Sequence, residues 1–258
     1  MERKIYLMSE QFEGKTIVIS GAAGGIGKAT AKRFAELGTN VAIADVDENA
    51  QKTVDEINEN GGQAIFIKTN VANEEDVKNF MQKAVEKFGS VEFAFNNAGV
   101  LNEPAKFKDI DVDEYDKVMD VDVKGVFLMM KYQLQHMVEN GFGSIVNTAS
   151  VAGIIADPNM APYVAAKHAV IGLTKSGGFD HATDGVRVNA LAPGLTETAM
   201  TQGWKDDPEK WKEVTAQVPM RKAAQPEDIA GMVLFLCSDD AKFANMQTFT
   251  LDGGQTAH

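Results

Sequence analysis

The sequence predicts a single α/β domain: a mostly parallel β-sheet with helices on both faces. Three observations predict it. Strand-like apolar runs alternate with helical patterns from one end of the 258 residues to the other. A glycine-rich turn, Gly21-Ala-Ala-Gly-Gly25-Ile-Gly27, joins the first strand to the first helix. No linker, repeat or low-complexity run interrupts the alternation. Such alternation makes βαβ units, whose right-handed crossovers set the strands parallel and bury both faces of the sheet.

The elements follow in order. Residues 15–20 form an apolar run that reads as a buried strand. After the glycine turn an amphipathic helix spans about 26–37 and stops at Gly38. Residues 40–45 are a second strand, and the polar helix after it stops at Gly61-Gly62. Residues 64–68 are a third strand and 74–88 a helix; 91–96 are a fourth strand, followed by one long helix over 112–139. Residues 144–148 are a fifth strand, 161–182 a helix, and 186–191 a sixth strand. Residues 226–236 are helical, and 247–251 close the pattern as a seventh strand. The long stretch without a strand, 196–225, carries Trp204 and Trp211. A long segment after a strand's carboxyl end usually forms a flap over the site, here assigned to 195–217.

Composition narrows the function. A hydrophobic content of 44% supports a sizeable core, and the net charge of −12 disfavours nucleic acid, an anionic membrane surface or an acidic carrier protein as partner. The single cysteine, Cys237, excludes an internal disulfide; it lies in an apolar run and reads as a buried thiol. His136, His168, His181 and His258 show no ligand spacing, so no metal is expected. No apolar stretch approaches the ~18 residues of a membrane span. The first eight residues are charged without a long apolar region, unlike a signal peptide. The expectation is a soluble cytoplasmic protein.

Two constellations carry chemistry. Glycines between strand and helix let the backbone approach a pyrophosphate, which the helix N-terminus attracts. Asp45 ends the second strand, where a carboxylate can accept both ribose hydroxyls of an adenine nucleotide and repel a 2′-phosphate. No Arg or Lys lies at 21–27 or 45–47 to offset that repulsion, which points to NAD. Second, Tyr163 precedes Lys167 by four residues, and Ser150 precedes Tyr163 by thirteen. Tyr-x-x-x-Lys puts both side chains on one helix face. A neighbouring ammonium favours the phenolate, and a tyrosine tuned in this way can pass a proton. Ser150 adds a hydroxyl for an oxygen on which charge develops.

Together these motifs resemble the short-chain dehydrogenases/reductases, in the branch of about 250 residues, over essentially the whole chain after Gly14. The resemblance rests on Ser20-Gly21-Ala-Ala-Gly-Gly25-Ile-Gly27, Asn96-Asn97-Ala98-Gly99, Ser150, Tyr163-x-x-x-Lys167, Arg187-Val-Asn-Ala190, Pro193-Gly194 and Asp252-Gly253-Gly254. It implies a Rossmann-type, doubly wound, seven-stranded parallel sheet in a single domain, with 1–13 as an N-terminal extension. It implies Tyr163 as general acid/base, Lys167 as holder of the nicotinamide ribose, and Ser150 as the group that positions the substrate oxygen. Gly21, Gly25, Ile26 and Gly27 would meet the phosphates, and Asn70 and Val71 the adenine. Asn97, Ala98 and Gly99, then Pro193, Gly194 and Leu195, would line the cofactor, with Thr198 near the carboxamide or phosphates. A homotetramer is expected, with the helices at 112–139 and 161–182 in one interface.

Three departures stand out. The family's catalytic Asn falls on Asp122, in Val121-Asp122-Val-Lys-Gly125. The family residue acts largely through its backbone carbonyl, which Asp also presents. Ser176-Gly177-Gly178 replaces the usual small helix formers and suggests close helix packing across a subunit interface. Asn245-Met246 replaces a Thr-Gly pair before the last strand.

Substrate contacts are expected from Val151, Ile154, Ile155, Met160, Leu101, Met200 and Trp204, with Asn102, Asp157 and Asn159 as polar exceptions. This mostly apolar set points to a modest, hydrophobic secondary alcohol or ketone, cyclic or steroid-like. The alternatives are a 3-oxoacyl-carrier-protein reductase, a glucose-1-dehydrogenase-like sugar dehydrogenase, and a cofactor-sensing protein without activity.

Overall fold

The computed structural model describes residues 10–257. Seven strands form one parallel sheet in the order β3-β2-β1-β4-β5-β6-β7. They are β1 (Thr16–Ser20), β2 (Asn40–Asp45), β3 (Ala64–Lys68), β4 (Phe93–Asn96), β5 (Gly143–Thr148), β6 (Val186–Pro193) and β7 (Thr248–Leu251). The expected α/β doubly wound fold is borne out. The order turns between β1 and β4: the chain winds outward from β1 to one edge, then from β4 to the other. Loops at that turning point diverge and leave a crevice at the strands' carboxyl ends.

Side chains alternate between the two faces of the sheet with the two-residue period of a strand, and both faces are covered. All of β1 is buried. Ile17 and Ile19 face a core layer completed by α1 (Gly25–Ala35), α2 (Ala50–Glu59) and α9 (Pro226–Cys237). Val18 faces the opposite layer, built with α3 (Glu74–Phe88), α5 (Gly125–Asn140) and α6 (Ala161–Asp180). Cys237 is buried as expected, which pushes its thiol up to about 12.

Residues 1–9 of the expected N-terminal extension lie outside the described residues, as does His258. Phe12 shows that the extension is not merely an appendage. It is fully buried and meets Phe34 at 5.4 Å and Phe93 at 5.3 Å between ring centroids. His136 and His168 make local contacts: the Val91 N–H reaches His136 Nε2 at 3.1 Å, and His168 Nδ1 contacts Val164 O at 2.9 Å. His181 Nδ1 contacts Asp184 at 2.9 Å.

The helix expected over 112–139 is not continuous. It comprises α4 (Val112–Val118), a π turn (Met119–Lys124) and α5. A π turn adds a residue within the helix, and such turns are frequent at functional sites; this one carries Asp122. The stretch from 196 to 225 holds two short helices, α7 (Gln202–Lys205) and α8 (Pro208–Ala216), and is pinned by a parallel bridge between Thr196 and Ala224. Asp207 caps α8 by accepting the Glu209 and Lys210 N–H groups, and Pro208 sits in its first turn. These are ordinary helix-start signals. No helix among the described residues is long and apolar enough to cross a membrane.

Candidate active site

A cavity of about 640 Å³ opens at the carboxyl ends of the central strands. At the tip of β1 the chain must turn sharply: Gly21 has φ +73°, and a Cβ there would lie 2.7 Å from Ala98 Cα. The backbone at the cavity floor is therefore bare, as a phosphate cradle requires. No side chain caps the N-terminus of α1, and no acidic residue lies in its first turn. Its free N–H groups and positive dipole end suit an anion. Gly21, Gly25 and Ile26 line the cavity. Gly27 does not, contrary to expectation. It is buried, and a Cβ on it would lie 2.0 Å from Gly21 O, so it serves helix-to-turn packing.

Asp45 lines the cavity at the end of β2. Its Oδ2 accepts the Ala23 N–H at 2.9 Å and its Oδ1 the Asp47 N–H at 3.0 Å. Each oxygen keeps a lone pair for a ribose hydroxyl. Asn70 and Val71 also line the cavity. Val71 is held by close contact with the backbone of α5, since a Cβ on Gly125 would lie 2.7 Å from Val71 Cγ2. Asn97 ties the tips of β1 and β4 together. Its Nδ2 donates to Gly21 O at 2.7 Å, and its backbone N–H donates to Ser20 Oγ at 3.1 Å. Ala98, Gly99, Pro193, Gly194, Leu195 and Thr198 complete this part of the wall. The residues present thus fit a dinucleotide.

Ser150, Tyr163 and Lys167 converge on the same cavity. Ser150 begins a 3₁₀ turn, Val151–Gly153, and its Oγ accepts the Ala152 N–H at 3.1 Å. One turn of α6 separates Tyr163 from Lys167, whose Nζ lies 5.3 Å from the phenol ring centroid. Nζ donates to Thr148 O at 3.1 Å and lies 3.0 Å from Asp122 Oδ2. Burial pushes the Tyr163 phenol above its ordinary value. Lys167 pulls it down, Asp122 pushes it up, a hydrogen bond with Ser150 pulls it down, and Asp157 pushes it up. The ammonium alone therefore does not govern this tyrosine, as the sequence suggests it should. Burial works against the Lys167 charge, but Asp122 and Tyr163 outweigh it and leave Lys167 above its usual value.

Asp122 participates through its side chain, not only through the backbone carbonyl that the resemblance implies. Its Oδ1 accepts the Val100 N–H at 2.8 Å. Among expected substrate contacts, Leu101, Val151, Met160, Met200, Trp204 and Asp157 line the cavity. Ile154 does not: it ends the 3₁₀ turn with its N–H bonded to Val151 O and stands 41% exposed. Ile155 is equally exposed and outside the lining. Asn102 is buried and joins two loops instead, its Nδ2 donating to Glu103 O at 2.9 Å and Asn159 O at 3.3 Å. Val214 and Gln217, at the end of the expected flap, also line the cavity, as does Gln255, which no sequence signal indicates. Gln255 is brought there by Asp252, whose carboxylate accepts the Gly254 and Thr256 N–H groups and folds the C-terminal turn. The buried Gln255 Oε1 has no hydrogen-bond partner among the described residues.

This geometry has close relatives. A family model described as enoyl-(acyl carrier protein) reductase matches residues 21–256. Cyclohexanol dehydrogenase of Acinetobacter sp. (strain SE19) is 40% identical over 252 residues, covering 97% of this chain and 98% of that protein. The crystal structure of levodione reductase superposes with a TM-score of 0.92 at 33% identity, covering 95% of this chain and 99% of that one. That of NAD+-bound xylitol dehydrogenase superposes with a TM-score of 0.91 at 34% identity, covering 95% and 100%. With its glycine turn, its Ser-Tyr-Lys cluster and these full-length likenesses, the chain belongs to the short-chain dehydrogenase/reductase family.

Proposed function

We propose that the chain interconverts a secondary alcohol and a ketone with NAD, on a compact, largely apolar, cyclic substrate. That it is a nicotinamide-dependent oxidoreductase of CH–OH groups follows from its family. The choice of NAD, the substrate and the residue roles are the proposal. The observation that carries it is the convergence of Ser150, Tyr163 and Lys167 on the cavity that also contains Asp45.

Gly21, Gly25 and the N-terminus of α1 would hold the pyrophosphate, Asp45 the adenosine ribose, Asn70 and Val71 the adenine, and Lys167 the nicotinamide ribose. A nicotinamide supplies the hydride acceptor or donor when bound. The chain's residues do the rest. Ser150 Oγ hydrogen-bonds the substrate oxygen. Tyr163 takes the hydroxyl proton in oxidation and returns it to the carbonyl oxygen in reduction. Lys167 orients the ribose and bears on the charge of Tyr163. Asp45 and the absence of an adjacent cation support NAD over NADP, because a carboxylate repels a 2′-phosphate.

The apolar lining of Leu101, Val151, Met160, Met200 and Trp204 supports a hydrophobic ring, and it disfavours a glucose-1-dehydrogenase-like role. Cyclohexanol dehydrogenase is one relative whose name fits this lining. Asp157, Gln217 and Gln255 favour a second reading, in which the ring carries a second hydroxyl. The net charge of −12 disfavours docking to an acidic carrier protein. Retention of both Tyr163 and Lys167 disfavours a purely cofactor-sensing role. The proposal includes a cytoplasmic homotetramer with α5 and α6 in one interface, and a flap over 195–217 that closes on substrate. Light scattering at micromolar concentration tests the assembly, and a monomer would refute it.

The test of function measures NADH and NADPH formation with cyclohexanol, cyclohexanediols, aliphatic alcohols, steroid alcohols and sugars. Cyclic alcohols with NAD should give the highest kcat/KM. A preference for sugars or for NADP would overturn the reading.

A further inference from the structure

Asp122 and Lys167 form a buried ion pair beside the proton-transfer tyrosine. Oδ2 and Nζ lie 3.0 Å apart, with side chains 0% and 4% exposed. A neutral amide at position 122 would present the same Oδ1 acceptor to the Val100 N–H, so that bond does not require a charge. Among the described residues, Lys167 is the one ion-pair partner of the Asp122 carboxylate. Of the three Lys167 N–H donors, one meets Thr148 O and another faces Asp122, leaving one for an incoming group. The arrangement is tight: a Cβ on Gly99 would lie 3.0 Å from Asp122 Oδ2 and 3.4 Å from Lys167 Nζ.

The position of Asp122 follows from the π turn, which carries it between α4 and α5 and against α6. Four groups face Tyr163 from the surrounding elements: Lys167 from α6, Asp122 from the π turn, Ser150 from the turn after β5, and Asp157 from the loop before α6. Two carboxylates oppose one ammonium. In a poorly hydrated site, a carboxylate paired with the ammonium cancels most of the field that would otherwise draw the proton from the phenol.

We propose that Asp122 is a positioning residue that neutralises Lys167 and holds Tyr163 in its proton-donor form. The chain then reduces carbonyls readily at neutral pH and oxidises alcohols best in alkaline solution. This inference rests on the assignment of Tyr163 as the proton-transfer group.

Tyrosinate absorbance tests it without cofactor or substrate. Subtracting the titration of Tyr163→Phe from that of the unaltered protein isolates Tyr163. The expected midpoint is at or above the ordinary ~10. Asp122→Asn should lower it by about one unit. With cyclohexanol and NAD, the acidic limb of kcat/KM for oxidation should move down with it. A Tyr163 midpoint well below 10 in the unaltered protein overturns the inference, even if Asp122→Asn fails to fold. So does a midpoint in Asp122→Asn that is unchanged or higher. If Tyr163→Phe retains full turnover, the assignment of Tyr163 itself fails, which is a separate outcome.

Discussion

Gly178 and Asn245 are a matched pair. The Asn245 Nδ2 donates to Gly178 O at 3.0 Å, and a Cβ on Gly178 would lie 2.7 Å from Asn245 Oδ1 and from Met246 Cγ. Asn245 Oδ1 also accepts the Val188 N–H at 2.9 Å, extending the connection to β6. Two departures that look unrelated in the sequence therefore form one contact within the chain. The neighbouring Gly177 likewise makes room for Met130, whose Cε would lie 2.5 Å from an added Cβ. The sequence assigns these glycines to helix packing across a subunit interface; the close contacts they permit here, with Met130, Asn245 and Met246, lie within the chain.

Gly178→Ala should destabilise the protein despite the better helix propensity of alanine. Overpacking costs about 1–3 kcal/mol, against about 1 kcal/mol gained in the helix. A melting temperature lowered by a few degrees is expected from thermal denaturation. An unchanged or higher value would show that Asn245 and Met246 yield freely.

Tyr163→Phe removes the phenolic oxygen and leaves the ring in place beside Lys167. Turnover should fall about 10²–10⁴-fold. NADH affinity, measured by fluorescence titration, should change little because the glycine turn and Asp45 are untouched.

Asp45→Ala combined with Val46→Arg should exchange a repulsive carboxylate for a phosphate partner. Val46 is 60% exposed and lines the cavity, so an arginine there meets little steric resistance. The ratio of kcat/KM for NADP over NAD should rise at least about tenfold, equivalent to roughly 1.4 kcal/mol. No change would mean that Asp45 serves only the Ala23 and Asp47 backbone.

Trp204→Ala and Gln255→Leu alter different parts of the cavity wall. Trp204→Ala should change the ranking of ring sizes, and Gln255→Leu should selectively weaken substrates with a second hydroxyl. A hydroxyl left without a polar partner costs about 1–3 kcal/mol, so a rise in KM of about fivefold or more is expected for diols. Equal loss for all substrates, or weaker NADH binding, would place these residues outside the substrate site.

Much of the fold was legible because its signals are local. Apolar runs of strand length, glycines at the turns and helix stops identify βαβ units whatever the distant contacts, and β2, β3 and α3 lie where the pattern places them. The Tyr163–Lys167 pairing was also legible, because four residues make one helical turn. Asp122 could be aligned by its motif, but its ion pair could not be read. Its carboxylate meets Lys167 only because a π turn between α4 and α5 is packed against α6. Gln255 was invisible because a C-terminal turn, folded by Asp252, carries it into a cavity made by other elements. Gly27 of the glycine motif and Ile154 of the loop after Ser150 are expected in the site, yet Gly27 packs against Gly21 and neither lines the cavity. Periodicity and turn chemistry thus determined the elements and their order. Which charges share a desolvated space, and which side chains close the cavity, was decided only by tertiary packing, since those contacts join residues far apart in the chain.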